Sequence, residues 1–360
     1  MTTKSTAEKW LTELTRIPTA PGLEQAVMAW VAAWAGRRRD LNLAPDRGGN
    51  LLITQKGRKT RSPVLAVAHM DHPAFVATDV TAREVSFEFR GGVRAEYFPD
   101  ASVVFVTGDG TGGRVTSYSP DSRQGIIRVT GTPPRPGDIA SWRFKTAKAR
   151  PGSLLAPACD DLAGCAAALA ALDLARGRPD LRHFGVLLTR AEEVGFVGAL
   201  HAAMTGRIPS GARLLSIEAS RSSTDAPIGA GPVIRVGDAT SVFDHDLTNL
   251  IAAEVARRGI RHQRKLMAGG SCEATAFGAF GYRATGLCLP LGNYHNMGNL
   301  DAVEAGGGEA RAKMEEVSLG DFHGLVELLL AAAVAVDGES DLRSRLSGVY
   351  EGAKHFLDHH

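Results

Sequence analysis

Seven acidic or imidazole side chains stand at points of this 360-residue sequence where a predicted strand ends or a predicted helix begins. Six of them follow apolar runs that are typical of buried strands, and one precedes an alanine-rich helix. They are His69, Asp71, Asp160, Glu192, Glu193, Glu218 and His295. In open α/β sheets the reactive groups collect just beyond the carboxyl ends of the strands, so these side chains are expected to meet at one edge of a sheet.

Carboxylates and imidazoles without thiolates favour a hydrolytic site for divalent metal ions, with zinc, cobalt or manganese as the candidates. A two-metal site needs a bridging carboxylate, further ligands on each metal and a base. Each residue also has an ordinary interpretation: Asp160 as a helix N-cap, Glu192 and Glu193 as a solvated loop pair, and His69 as a structural residue. The recurrence of the pattern at five elements favours the metal site.

Two stretches of alternating strands and helices must position these groups. Strands are predicted at 50–54, 64–68, 184–189, 214–217, 233–236 and 285–289. Helices are predicted for two segments within 6–39 and at 161–176, 197–204, 244–258, 275–280 and 317–336. This rhythm indicates an α/β fold with a mixed, mostly parallel sheet sandwiched by helices.

The segment 73–153 has a different character from its flanks. It contains seven of the seventeen prolines and shows no helical periodicity, and Val85, Phe87 and Phe89 alternate with polar residues. Short alternating strands between glycine and proline turns predict a small all-β, barrel-like domain. We therefore expect one catalytic domain, residues 1–72 and 154–360, that is split by an inserted β-domain at 73–153.

Charge and hydropathy exclude several classes of protein. The 41 basic and 39 acidic residues leave a net charge of +2, which offers no electrostatic attraction to nucleic acid. The N-terminus lacks the apolar segment of a secretory signal, and the longest uncharged apolar run, 328–336, is far shorter than the roughly 20 residues of a membrane span. Four cysteines without a C-x-x-C pair are typical of free thiols. We expect a cytoplasmic protein with neither nucleic-acid nor membrane partners.

The ordered motifs of the chain resemble those of the M42 glutamyl-aminopeptidase-like metallopeptidases, within the wider M20/M28 group of co-catalytic dizinc enzymes. Residues 18–24 resemble an opening Pro-x-x-Ser-Gly-x-Glu motif, 50–52 an Asp-Asn-Leu region, and 68–71 a His-Met-Asp motif. Residues 159–164, 192–195, 231–238 and 269–271 are similar to the family's Asp-Asp-Arg-Ala-Gly, Glu-Glu-Val-Gly, Gly-Pro-x-Ile and Gly-Gly-Thr motifs. The position of the β-rich insert is also typical of that family.

The resemblance implies a ligand for every position of a two-metal site. Asp160 would bridge two metal ions, His69 and Glu218 would complete one of them, and Glu193 and His295 would complete the other. It further implies two divalent ions per subunit, with zinc preferred.

Two more roles follow from the resemblance. Glu192 would be the general base that takes a proton from the bridging water and delivers it to the leaving amine. Asp71 would accept a hydrogen bond from the second ring nitrogen of His69. The family also implies short peptides as substrates and a homo-oligomer in which the β-domain is a contact surface.

Four positions depart from the family pattern. His72 stands where glutamate is usual, Leu162 replaces arginine, and Glu218 replaces aspartate. Residues 269–273 read Gly-Gly-Ser-Cys-Glu, with Cys272 before the acid, in place of Gly-Gly-Thr-Asp. His72 is either a surface or β-domain residue or an extra polar group that lines the cleft. None of these changes removes a predicted metal ligand.

The site therefore predicts a dimetal exopeptidase, and most specifically an aminopeptidase acting on short peptides. An M20-like deacylase or carboxypeptidase is the nearest alternative. Glu218 weakens the preference for the aminopeptidase, because it replaces the aspartate that is usual in the M42 pattern. A glycosidase would need two carboxylates and would leave His69, Asp160 and His295 without a role. A metal- or peptide-binding protein without turnover on the same fold is the alternative of a different class.

Overall fold

The computed structural model of the protein describes residues 2–57, 61–144, 150–336 and 342–357. The predicted domain limits at 1 and 360, and residues 145–149 of the predicted β-domain, lie outside the described residues. The α-helices of the described part are α1 (Lys4–Leu14), α2 (Gln25–Gly36), α3 (Leu162–Ala175), α4 (Val197–Met204), α5 (His245–Arg257), α6 (Glu273–Ala279), α7 (Leu300–Glu304), α8 (Leu319–Ala335) and α9 (Leu342–Ala353).

The strands of the described residues form one large sheet, one barrel and two separate two-stranded sheets. They are β1 (Leu41–Pro45), β2 (Leu51–Gln55), β3 (Val64–His69), β4 (Ala74–Val80), β5 (Glu84–Arg90), β6 (Ser102–Phe105), β7 (Gly112–Ser119), β8 (Gln124–Thr130), β9 (Ile139–Trp142), β10 (Ser153–Ala156), β11 (Phe184–Thr189), β12 (Arg213–Arg221), β13 (Val233–Gly237), β14 (Gln263–Leu266), β15 (Arg283–Leu291), β16 (Met297–Gly298), β17 (Arg311–Ala312) and β18 (Glu315–Ser318).

Eight strands form a mixed sheet in the order β1–β2–β11–β3–β12–β15–β13–β14. The central strands β11, β3, β12 and β15 run parallel to one another. On either side of this block, β2 and β13 pair antiparallel with β11 and β15. Every residue of β3 and β11 is buried, as expected for strands that are covered by helices on both faces.

Helices cover both faces of this sheet. α1 and α8 both pack against α3 and share one apolar core with the sheet, while α4 and α6 pack against each other on the opposite face. Because successive side chains of a strand point to opposite faces, Val64, Ala66 and Ala68 of β3 enter the first core, and Leu65 and Val67 enter the second.

The strands β4 to β9 close into a six-stranded antiparallel barrel in the order β4–β5–β8–β7–β6–β9. Phe75 meets Phe87 and Phe89 edge-on at its centre, with ring centroids 5.0 and 4.9 Å apart. The core of the barrel continues onto Met297 and Leu300, which follow the last predicted metal ligand along the chain. The predicted fold class, an α/β sheet between helices with a small all-β barrel, is confirmed. The domain limits at 73 and 153 stay a prediction.

Two predicted element boundaries are wrong. β12 continues to Arg221, so Glu218 lies inside the strand rather than after it, because β12 pairs with β15 along all nine of its residues. The last long helix begins at Leu319 rather than at residue 317. Residues Glu315–Ser318 form β18 instead, and the side chain of Ser318 caps the helix.

The C-terminal helix α9 differs from the others in its surroundings. None of its residues is buried, and the apolar side chains Leu346, Val349 and Tyr350 are 59%, 67% and 56% exposed. None of the helices in the described residues combines the length and the apolar character that a membrane crossing requires.

Candidate metal centre

The residues selected from the sequence converge where the central strands end. His69 is the last residue of β3 and lies level with Thr189, the last residue of β11, whose following loop carries Glu192 and Glu193. The structure brings all seven selected residues together, and each of their side chains is at most 10% exposed: His69, Asp71, Asp160, Glu192, Glu193, Glu218 and His295. Polar groups are rarely buried this densely unless they bind something.

The carboxylate of Asp160 lies between two imidazoles. Its Oδ1 is 3.4 Å from Nε2 of His69, and its Oδ2 is 3.3 Å from Nε2 of His295. Glu193 Oε1 lies 3.0 Å from the same nitrogen of His295, and Glu218 Oε2 lies 4.0 Å from that of His69. Each imidazole therefore faces one oxygen of Asp160 and at least one glutamate, and Nε2 of His69 also lies 3.9 Å from Oε2 of Glu192.

The donor atoms of these residues fit metal ions better than they fit one another. Nε2 of His69, Oδ1 of Asp160, Oε1 of Glu193 and Oε1 of Glu218 are buried and have no hydrogen-bond partner among the described residues. Two ligand atoms about 2.1 Å from a tetrahedral metal lie roughly 3.4 Å apart. The Asp160–imidazole distances of 3.3 and 3.4 Å match that separation.

Two groups of three residues bring potential ligand atoms within 4.8 Å of one another. They are His69 with Glu192 and Glu218, and His69 with Asp160 and Glu193. The first group includes Glu192, which the sequence predicts as a base rather than a ligand, so Glu192 lies directly beside the metal centre.

Hydrogen bonds on the far side of each imidazole leave Nε2 available to a metal. His295 Nδ1 donates to the carbonyl of Gly92 at 2.6 Å, and His69 Nδ1 lies 3.2 Å from the carbonyl of Asp71. A carbonyl accepts and does not donate, so Nδ1 carries a proton, and in the neutral imidazole that binds a metal the lone pair of Nε2 points into the site. Gly92 follows β5, so the β-rich segment orients one of the predicted ligands.

Asp71 acts mainly on the loop after β11. Its Oδ1 and Oδ2 accept the backbone N–H groups of Glu192 and Glu193 at 3.0 and 3.1 Å. The predicted contact with His69 is longer, since Oδ1 is 3.5 Å from Nδ1. Asp71 therefore holds the backbone of both glutamates, a function that the sequence analysis missed.

Burial and mutual repulsion shape the electrostatics of the site. Burial and a neighbouring carboxylate raise the pKa of Glu218 to about 8, and burial followed by repulsion from Glu218 raises the pKa of Glu192 well above its usual value. Burial lowers the pKa of His69 and His295, but the carboxylates around them, led by Glu192 and Glu193 respectively, outweigh it and raise both pKa values. The site concentrates negative charge that two dications would offset.

The motifs at 18–24 and 50–52, for which the sequence predicts no role, hold the loop that follows β11. Glu24, at the end of the 18–24 motif, is fully buried; its Oε1 accepts from the N–H of Ala191 at 3.0 Å and its Oε2 from Nε of Arg190 at 2.7 Å. Asn50 accepts from the N–H of Arg190 at 3.2 Å. Ala191 has a left-handed backbone (φ 51°), which an alanine adopts at a cost of roughly 1 kcal/mol, so these contacts stabilise an otherwise unfavourable turn before Glu192.

The residues that depart from the family pattern are buried. His72 is 5% exposed; its Nδ1 donates to the carbonyl of Asp160 at 2.7 Å and its Nε2 lies 3.2 Å from Oδ1 of Asn296. His72 is therefore a buried contact of a predicted ligand rather than a surface residue. Leu162 is buried at the start of α3, and Cys272 is buried before α6.

A model of the M42 glutamyl aminopeptidase family matches residues 134–306 of the chain. Over this segment, 173 of the 360 residues, the chain is similar to the M42 peptidases. The matched segment contains Asp160, Glu192, Glu193, Glu218 and His295. The predicted family and the prediction of a peptidase are thereby confirmed. Among curated proteins, none matches the sequence.

The fold of this chain is shared with solved structures. An aminopeptidase from the archaeon Desulfurococcus kamchatkensis superposes with a TM-score of 0.75 at 20% identity, covering 93% of this chain and 96% of that one. A TET aminopeptidase from a marine sediment thaumarchaeon gives 0.74 at 19% identity over 95% and 99%. The Pyrococcus horikoshii TET1 peptidase, described as assembling into a tetrahedron or a large octahedral shell, gives 0.72 at 21% identity over 91% and 99%. At this identity the likeness establishes the fold.

A cavity of about 520 Å³ opens beside Glu218. Three of the cations that line it are paired: Arg94 with Glu96, Arg221 with Asp301 and Glu304, and Lys265 with Asp225. The fourth, Arg235, is 3% exposed, and its Nε has no hydrogen-bond partner among the described residues. The cavity thus contains a buried positive charge next to the candidate metal centre.

Proposed function

We propose that this M42 chain is a metal-dependent aminopeptidase that removes the N-terminal residue from short peptides. The observation that carries the proposal is the carboxylate of Asp160 between the two imidazoles, each with a further glutamate beside it. The aminopeptidase titles of structural neighbours support the same reaction. The proposal includes two divalent ions per subunit, zinc in the first place and cobalt or manganese as alternatives, because the ligands are oxygen and nitrogen atoms.

In this proposal Asp160 would hold both ions, His69 and Glu218 would complete the first, and Glu193 and His295 would complete the second. Dications supply positive charge that polarises the scissile carbonyl group and lowers the pKa of water. The remaining residues orient these ligands or move protons.

Glu192 is the proposed general base. Its Oε2 lies 3.9 Å from Nε2 of His69, so the carboxylate reaches the centre without a ligand role in the proposal. Glu192 takes a proton from the attacking water, holds it on a carboxyl oxygen and delivers it to the leaving amine. Asp71 supports this step because it holds the backbone N–H of Glu192.

The replacement Glu192→Gln tests the mechanism. In the metal-loaded protein we expect hydrolysis of aminoacyl-p-nitroanilides to fall by about 10²- to 10⁴-fold, since glutamine has the shape of glutamate but cannot accept a proton. Metal content, measured by elemental analysis, should stay at two ions per subunit. Glu316→Gln, a change on β18 away from the metal ligands, is the control and should keep full activity.

The same assay separates the alternatives. An aminopeptidase requires a free amino terminus, so N-acetylation of the peptide should stop hydrolysis and a chelator should abolish it. Release of C-terminal residues, or cleavage of N-acyl amino acids, would support the deacylase or carboxypeptidase alternative. Two bound ions without turnover on any peptide would support the non-catalytic alternative.

Further parts of the proposal concern the cavity and the assembly. We assign the cavity beside Glu218 to the side chain of the substrate's N-terminal residue. We also assign the barrel to an inserted domain, 73–153, through which copies of the chain form a homo-oligomer. The assemblies formed by the Pyrococcus TET1 peptidase support that assignment. Light scattering coupled to size exclusion measures the mass: a monomer at micromolar concentration would refute the oligomer.

A further inference from the structure

Glu315, the first residue of β18, is fully buried and accepts three backbone hydrogen bonds. Its Oε2 accepts from the N–H of Cys159 at 2.6 Å and from the N–H of Asp160 at 3.0 Å. Its Oε1 accepts from the N–H of His295 at 2.9 Å. One carboxylate therefore joins the backbones of two proposed metal ligands that are 135 positions apart in the sequence.

The strand that carries Glu315 is itself attached to both ligand segments. Glu315 pairs with Ala156 of β10, four residues before Asp160. Glu316 pairs with Gly292, three residues before His295, through N–H to carbonyl bonds of 2.9 and 3.0 Å in the two directions. Hence β18 lies between the segment that leads to Asp160 and the segment that leads to His295. The Glu315 side chain contacts the backbone N–H of both ligands.

Neither ligand is held by regular secondary structure at its own position. Asp160 stands just before α3, and His295 has a left-handed backbone with φ 50°. The direction of each side chain follows from its backbone, so the 3.3 Å between Asp160 Oδ2 and His295 Nε2 depends on the relative position of the two backbones. Glu315 contacts both of them.

The chemistry of the contact requires a carboxylate. Three N–H donors meet two oxygens, and an ionised carboxylate has acceptors on both. A glutamine at 315 would turn an NH₂ group toward at least one of the N–H donors and leave that donor buried without a partner, which is unfavourable.

We infer that Glu315 is a positioning residue that sets the separation of Asp160 and His295 and thereby the affinity of the second metal ion. The inference rests on the proposed two-metal site, but it concerns metal binding and not turnover. The first ion, with His69 and Glu218, should depend on Glu315 through Asp160 alone and so be affected less.

The test is a metal titration of the metal-free protein with a chromogenic competitor. For Glu315→Gln we expect one of the two ions to bind about 10- to 100-fold more weakly, the range typical for loss of a group that orients a metal ligand. The other ion should bind within a few-fold of its affinity in the unchanged protein. Added metal should restore kcat with little change in KM.

Glu316→Gln is the matched control, because Glu316 neighbours Glu315 on β18 and its side chain instead approaches Arg150, at 3.9 Å. It should leave both affinities unchanged. Glu315→Asp keeps the charge, and it takes the place of Glu315→Gln in the titration if Glu315→Gln does not fold. Its loss of metal affinity should lie between those of the unchanged protein and Glu315→Gln.

Unchanged affinity in both Glu315 variants, or an equal loss at both ions, would overturn the inference. Failure of both variants to fold would overturn it too, since Glu315 would then serve the fold rather than the metal. If no peptide is hydrolysed but the second ion binds more weakly in Glu315→Gln, the positioning role stands and the proposed reaction fails.

Discussion

At the scale of single residues, Arg235 is the cation in the cavity that forms no ion pair with an acidic side chain among the described residues. The other cations lining the cavity have carboxylate partners, and the carboxylate of Glu218 belongs to the proposed metal site. A buried guanidinium is stable when an anion reaches it, and planar carboxylates fit its fork of donors. An acidic side chain at the substrate's N-terminus would supply that anion.

The replacement Arg235→Met should change substrate preference because it keeps an unbranched chain and removes the charge. We expect kcat/KM for a glutamyl substrate to fall by roughly 10- to 150-fold relative to a glutaminyl substrate, which corresponds to the 1.5–3 kcal/mol of a charge-assisted hydrogen bond. Steady-state kinetics on glutamyl- and glutaminyl-p-nitroanilide measure it.

Lys265→Met is the control for Arg235→Met, since Lys265 lines the same cavity and is already paired with Asp225 at 3.0 Å. It should leave the ratio of the two substrates within about twofold. An equal loss on both substrates in Arg235→Met would mean that Arg235 acts on Glu218 and not on the substrate.

At the scale of elements, an ion cluster joins α3 to the N-terminal helices. Asp173 on α3 accepts from Nε of Arg38, just after α2, at 2.5 Å and from Arg176 at 2.6 Å, and Thr2 donates to its other oxygen. Burial raises the pKa of Asp173, but these hydrogen bonds outweigh it and hold the pKa below its usual value. The folded state therefore favours the ionised form.

The sign of the pH effect follows from that shift. A carboxyl whose pKa is lower in the folded state stabilises the fold above its unfolded pKa of about 3.9 and loses the effect as the pH falls through the folded value. Asp173→Asn should lower the free energy of unfolding by about 1–2 kcal/mol at pH 7, and by less at pH 3, which lies below the unfolded pKa. Urea unfolding at both pH values measures the difference.

Asp180→Asn is a suitable comparison, because Asp180 pairs with Arg178 on the surface with half of its side chain exposed. It should change the free energy of unfolding by less than about 1 kcal/mol at either pH. A destabilisation by Asp173→Asn that is the same at pH 3 and pH 7 would contradict the assigned ionisation.

The elements differ in how far they could be predicted from the sequence. β3 and β11 are buried on both faces and therefore appear as continuous apolar runs. The end of β12 was misplaced because Glu218, a polar residue within a buried strand, interrupts the run where the site needs it. β10 and β18 pair with each other and contain at most three consecutive apolar residues, which is too short to predict a strand.

The candidate metal ligands could be predicted from the sequence, but the residues that hold their backbones in place could not. His69, Asp160 and Glu193 are recognisable from their positions at element ends. Glu24 and Glu315 were not, because both act by accepting backbone N–H groups of distant residues. Such contacts impose no spacing on the sequence and become visible when the chain is folded.

At the scale of the whole molecule, α9 and the barrel are expected to contribute very differently to the free energy of unfolding. α9 has no buried residue, whereas Phe98 in the barrel core is fully buried and its ring lies 4.9 Å from that of Phe89. Stability depends on buried apolar area, so the two segments should respond very differently to removal.

Termination of the chain after residue 341 should leave the unfolding temperature and both metal affinities unchanged. Phe98→Ala should cost about 3–5 kcal/mol, because it removes a buried aromatic ring and leaves a cavity. Calorimetry of both variants gives the comparison. A lower unfolding temperature of the truncated protein would show that α9 is covered by another surface in solution.

The contacts of Glu24 and Glu315 also set when the centre can form during synthesis. Glu24 holds the loop before Glu192, and Glu315 holds Asp160 and His295, so residues from both ends of the chain complete one site. A ribosome adds about 5–20 residues per second, so roughly 15–60 s separate the synthesis of the two glutamates. A nascent chain thus holds most of the acidic groups before Glu315 can arrange them, so the proposed metal site would form only after Glu315 has been synthesised.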